Sequence, residues 1–441
     1  MGHYLILMKI GIVGAGPAGL FAAYELSEKV DVTIIDKGPD AEERIKSSSN
    51  ILFGVGGAGL FSDGKLNFSP EIGNNLTDLI NLKEIENLVK KVEEIFSFYD
   101  IKAKEMDEEK VKALETQAAH SGMKYLPVRQ AHVGSDHLPY FIKEISKDLK
   151  KRGVEFLCNS EVNDLNQGEI FIDKDKYKFD KILLAPGRSG ARWLEGIVKG
   201  KNMNYIYNPI DIGVRVEVPA IIMEEICGVN WDPKVHIRTP AYDDFVRTFC
   251  VSPYGYVVKE VFDNFCLVNG HSRKDFRSSN TNFAFLIKVK LTEPLENTNL
   301  YGESIALQAT TIGGHKPILQ RLGDLRVGRR STWGRLEKSY VLPTLKDVTP
   351  GDIAMAMPYR FVKDILEGLE ILDRLIPGVA DNSTLIYATE IKFHGLRVIT
   401  DKNLQTSLSG IYVAGDGAGL SRGIVGSAAS GILAAQGILK N

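Results

Sequence analysis

The chain has 441 residues, 44% hydrophobic and 25% charged, with a formal net charge of −2. That length exceeds one simple core and predicts two domains, while the near-neutral charge, without a run of Lys or Arg, argues against nucleic acid or an anionic membrane as the main partner. No apolar stretch approaches the roughly 20 residues that span a bilayer.

Met1–Met8 lacks the charged start and cleavage site of a signal peptide, and Met8 is as acceptable a start as Met1. The four cysteines, Cys158, Cys227, Cys250 and Cys266, include no CxxC pair. This argues against a disulfide framework, a zinc ribbon and a redox dithiol, and for a cytoplasmic protein.

Residues 9–36 fit a strand–helix–strand unit. Residues 10–13 form a short buried strand, Pro17 suits the first turn of the next helix, and residues 30–36 are the second strand. The glycine-rich segment 51–66 cannot be a regular helix. Residues 82–112 carry helical periodicity through Ile85, Val89, Val92 and Ile95. Residues 138–151 predict a further helix, leading into a strand at 154–158. A hairpin is expected over 169–179 and a buried strand at 181–185. From about 212 to 312 the pattern alternates, as in 213–218 and 255–261, and reads as strands. Residues 351–376 read as helical, and 410–439 as strand then helix.

The fold class expected is α/β. A discontinuous Rossmann-like domain, a parallel sheet with helices on both faces, takes residues 1–205 and 378–441, with a helical insertion at about 71–125. An inserted, mainly β domain takes residues 206–377 and would supply the substrate site.

Gly14, Gly16 and Gly19 form GxGxxG between a strand and a helix. The first glycine permits a tight turn, the second lets backbone approach a pyrophosphate, and the third allows close helix–strand packing. Pro17 and Ala18 open the helix, whose N-terminal amides attract phosphate. Asp36 ends the second strand, where a carboxylate can hold ribose hydroxyls, and its charge would repel a 2′-phosphate. Lys37 and Arg44 are counted with the same cofactor site. These residues point to FAD or NAD.

The far end decides for FAD. Gly415 and Asp416 end a strand, and Asp416 can accept hydrogen bonds from ribityl hydroxyls. The helix from Gly423 and Ile424 would direct its N-terminus at the flavin and stabilise negative charge on reduction.

With these residues placed, the chain resembles the glutathione-reductase-type (two-dinucleotide-binding-like) flavoproteins, and more narrowly an uncharacterised family of FAD-dependent dehydrogenases. The most specific match is Gly54–Leu66, with Gly54, Gly56, Gly57, Gly59, Ser62, Asp63 and Gly64. Residues 213–219, 320–322, 348–351, 415–419 and 422–424 are also similar. The resemblance implies FAD and a redox role, with Gly57, Ala58, Gly59 and Ser62 as cofactor contacts. It also implies that Ala185, Pro186 and Gly187 stand for an "ATG" segment with Pro for Thr, and that Val162 presents a backbone edge to adenine. Residues 393–397 (Phe393, His394, Gly395, Leu396, Arg397) depart from the small polar pattern of relatives.

The expected activity is hydride transfer between flavin and a small molecule held between the two domains. No catalytic acid or base is assigned; His394, His315 and Lys65 are candidates, and for Lys65 an ion pair with Asp63 or a surface role is equally open. Cys250 reads as a buried strand cysteine. His132 and His137 lack a third ligand, so no metal is expected. No second GxGxxG appears, so electrons are expected from a transient NAD(P)H, a protein donor or the substrate. Two other classes stay open: a prenyl-reductase-like enzyme with Phe283, Phe285 and Leu286 lining an apolar channel, and a non-catalytic or RNA-directed flavoprotein.

Overall fold

The computed structural model describes residues 8–47, 52–62, 64–134, 137–272 and 277–440. The chain divides into two compact units. The first comprises Met1–Lys104, Arg129–Asn208 and His394–Asn441, and the second Glu105–Val128 and Pro209–Phe393.

The first unit is built on a five-stranded sheet in the order Ile411–Val413, Lys181–Leu184, Lys9–Val13, Asp31–Ile35, Glu155–Leu157. Every neighbouring pair is parallel. Ile10, Ile12, Ile34, Ile182, Leu183, Leu184 and Val413 are all buried, as expected for parallel strands, which read as continuous apolar runs. The helices Pro17–Leu26 and Gly423–Lys440 pack closely. A Cβ on Gly431 would lie 2.1 Å from the Ala18 carbonyl oxygen, so only glycine allows this approach.

Gly423–Lys440 revises the reading of hydropathy. It spans 18 residues at a mean hydropathy of 1.2, long and apolar enough to cross a membrane by length and composition, yet 72% of it is buried within the protein. Its glycines and alanines make it a core helix that packs by close approach.

The second unit carries an eight-stranded sheet. Its order is Thr349–Pro350, Ile318–Arg321, Leu385–Lys392, Ile210–Pro219, Asn280–Val289, Phe245–Ser252, Lys234–Arg238, Met123–Leu126. The pairs are antiparallel except the first. Along Ile210–Pro219 the residues Ile210, Ile212, Val214, Val216 and Val218 enter an apolar core. Met223, Ile226, Ile305, Ala309, Val362 and Ile365, from the helices Ala220–Val229, Thr298–Ile312 and Tyr359–Leu372, complete it. Asp211, Arg215 and Glu217 alternate to the opposite face.

Three expected boundaries are corrected. The helical stretch over 82–112 is two helices, Leu82–Phe98 and Glu108–His120. Asp100 adopts a φ of 60° in the break, and Asp107 caps the second helix by accepting from the Lys110 N–H at 3.1 Å. That second helix with Met123–Leu126 belongs to the second unit, because Met123–Leu126 pairs with Lys234–Arg238. The expected insertion at 71–125 is thus split between the units. At the other end the boundary moves from 377/378 to 393/394, since Leu385–Lys392 pairs with both Ile210–Pro219 and Ile318–Arg321.

Candidate functional site

The first unit contains a cleft of about 240 Å³ at the carboxyl ends of its parallel strands, where open α/β sheets take their ligands. Gly14 sits there at a φ of 107°, and a Cβ would lie 2.1 Å from the Ala185 carbonyl oxygen. A Cβ on Gly19 would lie 1.9 Å from the Gly14 carbonyl oxygen, so the helix can start directly against the turn only with glycine. Gly16 differs: nothing lies nearer its missing Cβ than Gly57 Cα at 3.9 Å. Its backbone is therefore open to a ligand. Gly16 caps Pro17–Leu26 without a side-chain bond, leaving first-turn amides for an anion.

The loop after the second strand crosses this turn. The Gly56 N–H donates to the Ala15 carbonyl at 2.8 Å. Arg44 holds the loop from behind, donating from Nη1 to the carbonyls of Gly54 (3.2 Å) and Val55 (2.7 Å) and from Nη2 to that of Gly57 (3.0 Å). Arg44 is fully buried, and burial pulls its pKa down to about 10 against the opposing pull of Asp36.

Most residues expected at the cofactor line the cleft. Gly14, Gly16, Pro17 and Ala18 come from the first turn, Asp36 and Lys37 from the second strand end, and Gly57, Ala58, Gly59 and Ser62 from the loop. Val162, Ala185, Pro186 and Gly187 follow, with Gly415, Asp416, Gly423 and Ile424 from the C-terminal segment. Gly19 and Arg44 do not line it. Gly19 supports the turn and Arg44 the loop. The sequence reading missed Phe53, Ser160, Arg188, Ser189, Trp193 and Ser427, which also line the cleft. Arg188 and Ser189 follow directly on Pro186 and Gly187, so extending that turn by two residues would have found them.

Two carboxylates have partners that spacing did not reveal. Asp36 Oδ2 accepts the Ala15 N–H at 2.8 Å, and Oδ1 accepts the N–H groups of Gly38 and Gly54, each at 2.9 Å. Of roughly four lone-pair directions on a carboxylate, three are taken by backbone, so Asp36 ties the first turn to the crossing loop. Asp416 Oδ1 accepts from Ser427 Oγ (2.7 Å) and Ser421 Oγ (3.1 Å), and Oδ2 from Arg188 Nε (3.1 Å). Lys37 Nζ lies 4.8 Å from the Phe53 ring centroid and 4.0 Å from Glu161 Oε1.

The catalytic candidates lie off the cleft wall. His394 Nδ1 meets the Arg422 guanidinium. Lys65 opens the strand Lys65–Phe68, which pairs with Arg129–His132; Asp63 lies outside the described residues, as do Met1 and the other residues before Met8. His315 belongs to the second unit. Its φ of 63° and its N–H bond to the Thr310 carbonyl (2.9 Å) make it the turn that ends Thr298–Ile312. Among the described residues no three His, Cys, Asp or Glu side chains converge on a metal position.

Open backbone at Gly16, an uncapped helix start and a second helix start at Gly423–Ile424, all on one cleft, fit a dinucleotide carrying a flavin. Residues 209–392 match the "FAD-dependent protein, C-terminal domain-like" family, and residues 12–65 match the NAD(P)-binding Rossmann-like domain. The first match coincides with the long segment of the second unit. The chain is 27% identical to an uncharacterized protein of Clostridium beijerinckii over 474 residues, covering 97% of this chain and 80% of that one.

Among solved structures it resembles L-proline dehydrogenase from P. horikoshii at 14% identity and a TM-score of 0.41, covering 98% and 94% of the two chains. It also resembles glycine oxidase from Geobacillus kaustophilus at 13% identity and a TM-score of 0.37, covering 98% and 95%. Both are too distant for their activities to bear on this chain. The cleft and the two family matches are those of an FAD-binding protein with a Rossmann-type dinucleotide-binding unit.

Proposed function

We propose that this protein is a dehydrogenase or reductase of the glutathione-reductase type, exchanging a hydride with a small molecule taken up by the second unit. The observation that carries the reading is that Gly14, Gly16, Pro17 and Ala18, from near the start, and Gly415, Asp416, Gly423 and Ile424, from near the end, line one cleft. FAD, when bound, supplies a two-electron acceptor and donor. The first-turn amides bind its pyrophosphate, and the crossing loop braced by Asp36 and Arg44 excludes water from that contact. Asp416, oriented by Ser421, Ser427 and Arg188, offers acceptors to polyol hydroxyls. The start of Gly423–Lys440 contributes positive potential, which favours negative charge developing nearby.

Residues 209–393 with 105–128 act as the substrate domain and the remainder as the cofactor domain. Cys158, Cys227, Cys250 and Cys266 form no disulfide among the described residues, which supports a reducing, cytoplasmic setting. Electrons arrive from a transient nicotinamide or a protein donor.

The test is anaerobic mixing of purified protein with NADH, then NADPH, followed at the flavin absorbance bands. Bleaching by one of them identifies the donor. Protein that is colourless and takes up no added FAD overturns the reading.

A further inference from the structure

We propose that Arg188 is a cofactor-binding residue of the cleft: one edge of its guanidinium stays on Asp416 while the other binds the diphosphate of the dinucleotide. The inference rests on the reading of the cleft as an FAD site and deepens it, adding a side-chain cation to a phosphate position otherwise built from backbone.

The turn that carries Arg188 is wedged between the two glycine-rich ends of the chain. A Cβ on Gly14 would lie 3.2 Å from Pro186 Cα, and one on Gly417 would lie 2.4 Å from the Gly187 carbonyl oxygen. Ser189 Oγ donates to the Leu52 carbonyl at 3.3 Å, which ties the same turn to the loop after the second strand. The backbone of this turn is therefore fixed beside the pyrophosphate turn at Gly14–Gly16 and beside Asp416–Gly417. Arg188 lines the cleft together with Gly14, Gly16 and Asp416.

Charge gives this residue its task. The ionisable residues that line the cleft are Asp36, Lys37, Glu161, Arg188 and Asp416, three carboxylates against two cations. A diphosphate brings further negative charge to that set, and like charges at close range oppose its entry. Asp36 is partly offset by the three backbone N–H groups it accepts. Lys37 is engaged elsewhere, 4.0 Å from Glu161 Oε1 and against the Phe53 ring.

Arg188 is the cation that remains for the phosphate. Its side chain is 69% exposed, so its donors are within reach of a ligand, and Nε lies 3.1 Å from Asp416 Oδ2. Among the described residues no acceptor takes Nη1 or Nη2. Asp416 is only 15% exposed and is itself held by Ser421 and Ser427. It anchors the guanidinium through Nε and leaves the Nη1–Nη2 edge, whose paired N–H groups match two phosphate oxygens.

The experiment titrates full-length protein freed of flavin with ADP, adenosine and FAD, comparing wild type, R188Q and R188K. Calorimetry and the shift in Tm are read together. ADP carries the diphosphate without the polyol that Asp416 serves, so a loss of ADP affinity does not come through Asp416. R188Q is expected to weaken ADP and FAD about tenfold or more and to leave adenosine unchanged. R188K should recover part of the loss, because an ammonium keeps the charge but not the paired donors. Added salt should weaken ADP more on wild type than on R188Q. If R188Q fails to fold, the loss in R188K relative to wild type carries the test.

No binding of ADP to wild type, equal ADP affinity in wild type and R188Q, or a parallel loss of adenosine overturns the proposal. Loss of FAD with ADP unchanged makes Arg188 a positioning residue for Asp416 and overturns it too. Wild type that takes up FAD, with ADP binding indifferent to R188Q, sinks this inference alone. ADP binding that depends on Arg188 in a protein that takes up no FAD sinks the functional reading alone.

Discussion

Replacing Asp36 by Ala removes the acceptor for the backbone N–H groups of Ala15, Gly38 and Gly54. A hydrogen bond to a charged group contributes about 1.5–3 kcal/mol. Asp36 is half-buried, so water recovers part of the loss, and a net cost of about 3 kcal/mol for the three bonds together follows from the lower end of that range. Asp36→Asn keeps one acceptor oxygen but presents an amide N–H₂ to one of the donors, so about half that cost is expected. The assay is urea unfolding of the FAD-free protein, with hydrogen exchange read over residues 12–20 and 54–60. Both segments are expected to lose protection in D36A before any cofactor is added. If D36A leaves apo stability and exchange unchanged and only weakens FAD, Asp36 is a ribose ligand and the bracing argument is wrong.

Gly14→Ala places a Cβ 2.1 Å from the Ala185 carbonyl oxygen at a φ of 107°. Flavin absorbance of the purified variant should fall to a small fraction of wild type. Asp416→Ala should weaken FAD retention on gel filtration far more than His394→Ala, because only Asp416 lines the cleft; equal retention in the two would refute the assignment.

Burial pushes Asp364 up to about 6, in a cluster where Thr239 Oγ1 donates to it and Arg360 grips Asp244. Its folded pKa exceeds the ordinary value of 3.8, so between about pH 4 and 6 the folded state binds more protons and stability falls as pH rises. Asp364→Asn should flatten that slope in urea midpoints measured across the window.

The cofactor cleft was legible where chemistry is local. Gly14, Gly16 and Gly19 announce a turn because each does a separate steric job within six positions. The C-terminal glycines around Asp416 do the same. Asp36 shows the limit: its type and place are readable, but its three donors come from loops whose approach depends on tertiary closure.

The same reason hid the fate of residues 105–128. Nothing in the periodicity of Glu108–His120 says that the following strand will pair with Lys234–Arg238, about a hundred positions away. Two helices of the second unit, Ala220–Val229 and Thr298–Ile312, went unseen; the first carries Ile221, Ile222 and Ile226, which suit strands equally. His315 is a left-handed residue closing Thr298–Ile312, a backbone role that its residue type does not announce.

The chain passes between its two units at 104/105, 128/129, 208/209 and 393/394. For a protein made from its N-terminus, that threading orders events. The second unit's sheet stays incomplete until Leu385–Lys392 has been synthesised, and the cofactor cleft lacks Gly415, Asp416, Gly423 and Ile424 until later still. Domains generally fold as units during synthesis, but here neither unit can finish early. Flavin capture at this cleft therefore waits until Gly415, Asp416, Gly423 and Ile424 have been made, about 400 residues after the turn at Gly14.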